Sequence, residues 1–402
     1  MTTALARGTA RMRSTIANRL GRADQSAFGK WFWEIDRVLL MLVLVLISVG
    51  LIAVAAASPA AAERYSGGNF TLAPLHYFWR QLVWVAMGLP IMITVSMLPV
   101  KLARRFAVAG AAFFSVLLAV VPIIGVEVNG ARRWLGLGFA QFEPSEFLKP
   151  LFVVTLAWML SLRAQDKTLP VVPLSFGLIA IIAFLLMKQP DFGQTIIFGS
   201  VWLAMLMLTG LSMRTMGALA GTGAVGILCA YLFYPVATQR INNFLFEAGD
   251  TYQVDSAHAT LVAGGFFGTG PGGGERKFRL PEAHTDYIFS VIGEEFGLIA
   301  CLAIAAVFLA IVVRVFIKLL DEEDPFIVLA GAGLAVQFGV QALINMAVNV
   351  NLAPSKGMTL PFISYGGSSL IALSIGFGLL LALTRRNPYL KRSPYVVRWS
   401  KR

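Results

Sequence analysis

In a chain of 402 residues that is 57% hydrophobic and only 13% charged, the few ionisable groups set between long apolar runs are where chemistry could occur. Four clusters hold them. The first is Asn129-Gly-Ala-Arg-Arg-Trp134 followed by Gln141-Phe-Glu-Pro-Ser-Glu-Phe-Leu-Lys149. Pro144 and Ser145 suit the opening of a helix, and Glu146 and Lys149, three residues apart, would share one face of it. The pair reads either as a structural ion bridge or as the lining of a hydrophilic cavity, where the planar guanidinium groups of Arg132 and Arg133 would suit an anionic substrate. The second cluster, Gln189-Pro-Asp-Phe-Gly-Gln194, is a tight turn that places Asp191 at the N-terminus of a helix. There it would cap the free backbone N–H groups and favour the helix dipole, or support the same cavity.

The third cluster frames a long polar insertion, from Arg240-Ile-Asn-Asn through Asp250-Thr-Tyr-Gln-Val-Asp-Ser256 to Leu280-Pro-Glu-Ala-His-Thr-Asp-Tyr287. A connector of about 50 residues is a lid, a binding element or disordered. Its glycine-rich centre, Gly264 to Gly274, is no P-loop, because no Gly-Lys-Ser/Thr follows, and backbone flexibility explains it better. Glu282, His284, Thr285 and Asp286 should gather at the membrane face. No nucleophile-elbow motif supports a triad from Ser256 and a histidine. His284 with a carboxylate could ligate a metal, and Asp286 suits general-base work on a hydroxyl if the substrate brings a good leaving group. The fourth cluster runs from Asn349 to Ser369 and is rich in proline, glycine and hydroxyls, with Lys356, Ser364 and Ser368. Irregular backbone at membrane depth survives only where protein or water satisfies it, so a re-entrant or cavity-lining segment is expected.

The elements that must position these residues are membrane helices. Soluble domains carry about 25% charged residues, and that deficit makes lipid the solvent. Apolar stretches near 38–57, 78–98, 106–124, 147–162, 170–188, 192–210, 215–236, 287–317, 325–348 and 368–384 predict an all-α, polytopic bundle of about ten spans with a long extracytoplasmic loop at 237–286. Basic tails at 1–37 and 385–402 flank this single domain. Lysine and arginine placement sets both termini in the cytoplasm and the four clusters outside. The net charge of +12 follows apolar runs in short loops and tails, a pattern for lipid headgroups rather than nucleic acid. Cys229 and Cys301 lie within apolar runs without partners at redox or metal spacing and read as small core hydrophobes. The acidic run Asp321 to Asp324 reads as a solvated turn that stops a helix before Pro325.

Taken together and in this order, the motifs Asn-Gly-Ala-Arg-Arg-Trp, Glu-Pro-Ser-Glu-Phe-Leu-Lys, Gln-Pro-Asp-Phe-Gly, Leu-Pro-Glu-Ala-His-Thr-Asp-Tyr with Ile-Gly-Glu-Glu-Phe-Gly297, and Pro-Phe-Ile-Ser-Tyr-Gly-Gly-Ser-Ser resemble the SEDS (shape, elongation, division and sporulation) or RodA/FtsW family of peptidoglycan polymerases. The long basic N-terminal segment and Pro354-Ser-Lys-Gly-Met-Thr-Leu-Pro361 resemble its division members more than its elongation members. The resemblance implies transfer of the disaccharide-peptide of lipid II to a nascent glycan strand, with undecaprenyl diphosphate leaving. Asp286 would fall on the family's essential outer-loop aspartate, the proposed base, and Glu146 and Lys149 on its paired charged positions. It also implies a class B penicillin-binding transpeptidase, other division proteins and a septal location as the setting. Arg132, Arg133, Arg240 and Lys356 are the candidate diphosphate holders, and a divalent cation, magnesium or manganese, is the one cofactor that this chemistry invites. The first half of the insertion departs from the family pattern around Phe246-Glu-Ala-Gly-Asp250, which leaves Asp250, Tyr252 and Gln253 as weaker carry-overs. A lipid II flippase and a division scaffold are the rival readings.

Overall fold

The computed structural model describes residues 27–385 apart from 68–70, 129–130, 137–140, 247–250 and 356. After a short helix α1 (Ala27–Glu34) come the apolar helices α2 (Arg37–Tyr65), α3 (His76–Ser96), α4 (Val100–Ile124), α5 (Pro144–Gln165), α6 (Val171–Met187), α7 (Phe192–Leu208) and α8 (Met213–Phe233). The long insertion forms α9 (Pro235–Phe246), α10 (Tyr252–Ala263) and a 3-10 turn at Arg276–Arg279, and the chain closes with α11 (Ile288–Leu319), α12 (Pro325–Asn349) and α13 (Gly367–Thr384). Eight of these helices are long and apolar enough to cross a bilayer, and α6 and α7, at 17 residues each, supply the other two expected spans. The chain is a multi-pass membrane protein.

Local chemistry sets the helix ends. Asp36, Asp191, Ser212 and Asp324 each cap a helix by accepting backbone N–H bonds, and Asp324 with Pro325 at the first helical position realises the stop and restart expected of the acidic run. At the N-terminal end of α2 Asp36 also receives Arg314 at 3.1 Å and Lys318 at 2.9 Å, which ties α2 to α11. The central helices are α5, α12 and α13, with 61%, 61% and 78% of their apolar windows buried, whereas α8 is only 6% buried and faces outward. Glu146 and Lys149 on α5 are therefore inside the protein, and Cys229 on α8 is exposed rather than a core residue, while Cys301 is buried as expected.

Two irregular segments enter the bundle. Residues 358–364 pack Leu360, Phe362 and Ile363 at 2% exposure or less, and a Cβ on Gly50 would stand 2.4 Å from the carbonyl oxygen of Phe362. Gly50 lies thirteen residues into α2, about 20 Å along that helix, so the expected re-entrant segment does reach membrane depth. The second segment is the glycine-rich stretch of the insertion. Gly297 (φ +78°) interrupts α11, and the carbonyls of Glu294 and Glu295 freed there accept from Thr269 N at 2.9 Å and Gly270 N at 3.0 Å. Leu298 N in turn donates to Gly265 O at 2.9 Å. Gly268, at φ +82°, would place a Cβ 2.2 Å from Glu295 O. Close backbone approach, not the expected flexibility, is what these glycines serve. Below them Glu294 accepts from Arg276 N and Lys277 N, and the buried Lys277 pairs with Glu295, so the loop is sewn to α11.

Candidate functional site

Asp286 ends a run of turns whose backbone is held by other elements. His284 O accepts from Tyr365 N at 2.9 Å and Thr285 O from Ser364 Oγ at 2.6 Å, both from the re-entrant segment. Asp286 O accepts from two side chains of α12, Asn345 Nδ2 at 2.9 Å and Asn349 Nδ2 at 3.2 Å. Asn345 also donates to Met358 O at 2.6 Å, and Asn349 Oδ1 accepts from Ser290 N and Oγ at 3.1 and 2.8 Å. These asparagines belong to a row of amides, Gln337, Gln341, Asn345 and Asn349, spaced four residues apart along one side of an otherwise apolar helix. Gln341 extends the row downward: it donates to Thr359 O at 3.1 Å and accepts from Lys149 Nζ at 3.1 Å. The amide row is the feature that sequence reading missed, and its signal was the four-residue spacing.

Glu146 and Lys149 form the expected pair, 2.8 Å apart with side chains 9% and 3% exposed. Gln194 Nε2 at 2.7 Å and Ser369 Oγ at 3.1 Å complete the shell of Glu146. The hydroxyl that reaches Glu146 thus belongs to Ser369, while its neighbour Ser368 is simply buried. Below the pair lies a cleft between α5, α12 and α13 lined by Pro150, Gln337, Phe338 and Gly376.

The two arginines separate because strand side chains alternate. They lie on a hairpin of β1 (Val126–Val128) and β2 (Ala131–Trp134). Arg132 points to Glu127 at 3.2 Å with both side chains at least half exposed, so it does not join the cavity. Arg133 points inward and holds the Gln-Pro-Asp turn, donating to Gln189 O at 3.1 Å and to Pro190 O, with Asp191 Oδ2 at 4.0 Å. Asp191 also accepts from Gln194 N at 3.1 Å, so it is both the expected cap and part of the polar site. Arg240 on α9 is half-buried in the same electrostatic field as Arg133, Asp191 and Tyr287.

Asp286 is half-buried. Burial first, then the charge of Glu282, pushes its carboxyl up to about 7, with Glu146 adding and Arg133 and Arg240 opposing. A carboxyl so placed can exchange a proton near neutral pH. Glu143, just before α5, is a second such group that the motif contained but the reading passed over. Its carboxyl accepts from Ser145 Oγ at 2.7 Å, and burial, with Asp191 and Glu146 nearby, pushes it up to about 8.

Other expected residues have different roles. His284 is 4% exposed and packs against Tyr77, ring centroids 4.3 Å apart, and burial holds its imidazole down to about 4 against the pull of Glu282. His284 thus sits in an aromatic cluster, and among the described residues no group of three or more His, Cys, Asp or Glu side chains is placed to hold an ion. Tyr252 donates to Arg279 O at 3.0 Å, Gln253 is exposed and Ser256 half-buried on α10, and none of these bonds reaches Asp286. Asn129, Asp250, Lys356 and the parts of the basic tails at 1–26 and 386–402 lie outside the described residues. The segment carrying Lys356 does approach the site, since a Cβ on Gly357 would stand 3.2 Å from Asp286 Oδ2.

A ten-span bundle with a re-entrant segment, a clamped aspartate at one end and a buried glutamate–lysine pair defines a membrane enzyme of the SEDS type. The family model described as cell cycle protein, covering FtsW, RodA and SpoVE, matches residues 36–389, and the chain belongs to that family. It is 38% identical over 383 residues to a Caulobacter vibrioides protein named "Probable peptidoglycan glycosyltransferase FtsW", covering 94% of this chain and 96% of that one. A Coxiella burnetii protein of the same name is 32% identical over 363 residues, covering 87% and 96% of the two chains. Among solved structures, a chain of a peptidoglycan synthase complex described as coordinating polymerization and crosslinking is similar at a TM-score of 0.71 and 26% identity, covering 87% of this chain and 97% of that one. The rod shape determining protein RodA of Thermus thermophilus is similar at a TM-score of 0.65 and 26% identity, covering 87% and 96%.

Proposed function

We propose that this protein is a peptidoglycan glycosyltransferase that polymerises lipid II during septal wall synthesis, with Asp286 as the general base. The observation that carries the role of Asp286 is its setting: a carboxyl able to hold a proton near neutrality, with its backbone clamped by Asn345 and Asn349 and two arginines in its field. A sugar already activated by diphosphate needs no protein nucleophile, only alignment, a base and charge stabilisation at the leaving phosphates. In the step proposed, Asp286 takes the proton of the acceptor's 4-hydroxyl, the new glycosidic bond forms at the anomeric carbon, and the bond to undecaprenyl diphosphate breaks. Arg240 and Arg133, together with Lys356 of the fourth motif, are the groups suited to the departing charge. Arg133 is largely committed to the Gln-Pro-Asp turn, which leaves Arg240 as the foremost of them.

A divalent cation, magnesium or manganese, would be bound chiefly by the substrate's phosphates. The likeness to a chain of a synthase complex that coordinates polymerization and crosslinking supports a crosslinking partner, which we take to be a class B penicillin-binding transpeptidase; other division proteins and membrane lipids are expected from the family. The even number of spans supports both termini on one side, and the basic tails support the cytoplasm as that side. Gel analysis of products made from purified lipid II tests the function. Glycan ladders from the wild type and none from Asp286→Asn are expected; ladders of normal length from folded Asp286→Asn refute the base. Transport of labelled lipid II across vesicles without elongation would favour a flippase instead.

A further inference from the structure

We propose that Glu282 is a positioning residue for the base: its carboxylate is clamped by Tyr65 and Thr285 so that a fixed negative charge faces Asp286. Glu282 adopts φ +53°, a left-handed backbone that side-chain-bearing residues rarely take, and glycine or asparagine would adopt it more easily. Such outliers persist where the surroundings over-determine them and gather at functional sites. Here both carboxylate oxygens are used: Oε1 accepts from Tyr65 Oη at 2.7 Å and Oε2 from Thr285 Oγ1 at 2.7 Å. Its carbonyl accepts from Thr285 N at 3.1 Å and Tyr287 N at 3.3 Å, which folds the backbone of the base around it. The tyrosine belongs to the outer end of α2, so this clamp is set by a spanning helix and not by the loop alone.

Among the described residues Glu282 forms no salt bridge, and its charge is left to act on its neighbourhood. Among the described residues the charged groups whose fields act on Asp286 are Glu282 on its own loop, Glu146 on α5, Arg133 on β2 and Arg240 on α9, and Asp286 in turn acts on the hydroxyl of Tyr287. Lys356, on the segment next to Gly357, lies outside the described residues. Among the described residues two anions thus stand against two cations, and the charge of Glu282, after burial, raises the proton affinity of Asp286. Removing it hands the balance to the arginines. A base that must take a proton from a sugar hydroxyl works best with its own proton affinity near the working pH, and Glu282 supplies part of that affinity.

The inference rests on the reading of Asp286 as the base, so the experiment separates the two. In Glu282→Gln the side chain keeps its size and an acceptor for Tyr65 but loses its charge. The full chain in lipid nanodiscs is treated with a carbodiimide, which modifies protonated carboxyls, and modification of Asp286 is followed by mass spectrometry against pH. The wild-type midpoint is expected near 7. In Glu282→Gln it should fall by about one pH unit, whereas Glu282→Asp, which retains the charge, should stay closer to wild type, and Tyr65→Phe should fall by less. The acid limb of the lipid II polymerisation rate should move with the midpoint. An unmoved midpoint in folded Glu282→Gln overturns the inference. A midpoint that moves while the rate profile does not supports Glu282 and removes Asp286 as the base.

Discussion

The pair formed by Glu146 and Lys149 offers a sharp energetic test of the site's lower wall. The two charges meet at 2.8 Å with almost no exposure, and each has other partners: Gln194 and Ser369 donate to the glutamate, and Gln341 accepts from the lysine. Removing one member strands the other charge in a poorly hydrated interior, which typically costs 3–5 kcal/mol, whereas removing both charges together is often near neutral. The surviving amides and hydroxyl soften the loss, so Lys149→Met and Glu146→Gln should each cost about 3 kcal/mol, at the lower end of that range. The double variant loses both charges but leaves the Gln341 oxygen with one partner fewer, and should also cost about 3 kcal/mol, giving a coupling of about 3 kcal/mol. Equilibrium unfolding of the full chain and its variants in one detergent mixture, followed by tryptophan fluorescence, measures all four corners of the cycle. A double variant whose cost equals the sum of the single ones, about 6 kcal/mol, would refute direct coupling and mean that each charge is separately hydrated in an open cavity.

Asp286→Asn should abolish polymerisation while changing how stability depends on pH. The native carboxyl is held above its ordinary value of 3.8, so between about pH 4 and 7 the folded protein binds more protons than the unfolded chain, and wild-type stability falls as pH rises through that window. The half-buried position and nearby water limit the effect to about 1–2 kcal/mol, and thermal melts at pH 5 and 8 should show a smaller decline in Asp286→Asn than in wild type, the remainder coming from Glu143, whose carboxyl is also held above its ordinary value. Asn345→Leu should lower the polymerisation rate on the order of 10- to 100-fold and cost about 1–3 kcal/mol, because the Asp286 and Met358 carbonyls lose a shared donor; unchanged rates would mean that the clamp is dispensable. Gly268→Ala should destabilise the chain by about 2 kcal/mol or more, read as a lower melting temperature, since its backbone is left-handed and its Cβ would meet Glu295 O at 2.2 Å. Arg240→Ala should weaken apparent affinity for lipid II about 10-fold, whereas Arg132→Ala should change it little, and equal losses in the two would contradict their separation across the hairpin.

Sequence alone determined the solvent, the span count and the candidate base, because each depends on a local property. Hydrophobic length sets a membrane helix, a cap needs only its own turn, and the three-residue separation of Glu146 and Lys149 is enough to predict their contact. Asp286 was legible through its motif. What the sequence withheld was any fact set by two elements meeting. The alternation of a short hairpin sends Arg133 inward and Arg132 outward, although the two stand side by side in the chain. The row Gln337, Gln341, Asn345 and Asn349 is visible in the sequence as a spacing, but its task of holding Asp286 and the re-entrant segment exists only once α12 packs beside them. The glycine-rich stretch suggested freedom because a glycine has no side chain to restrict it, yet here the missing side chain lets the loop close against the broken α11. Glu143 and Glu282 became informative for the same reason: a carboxyl's proton affinity is decided by what surrounds it, and burial and neighbouring charge come from residues far away in the chain.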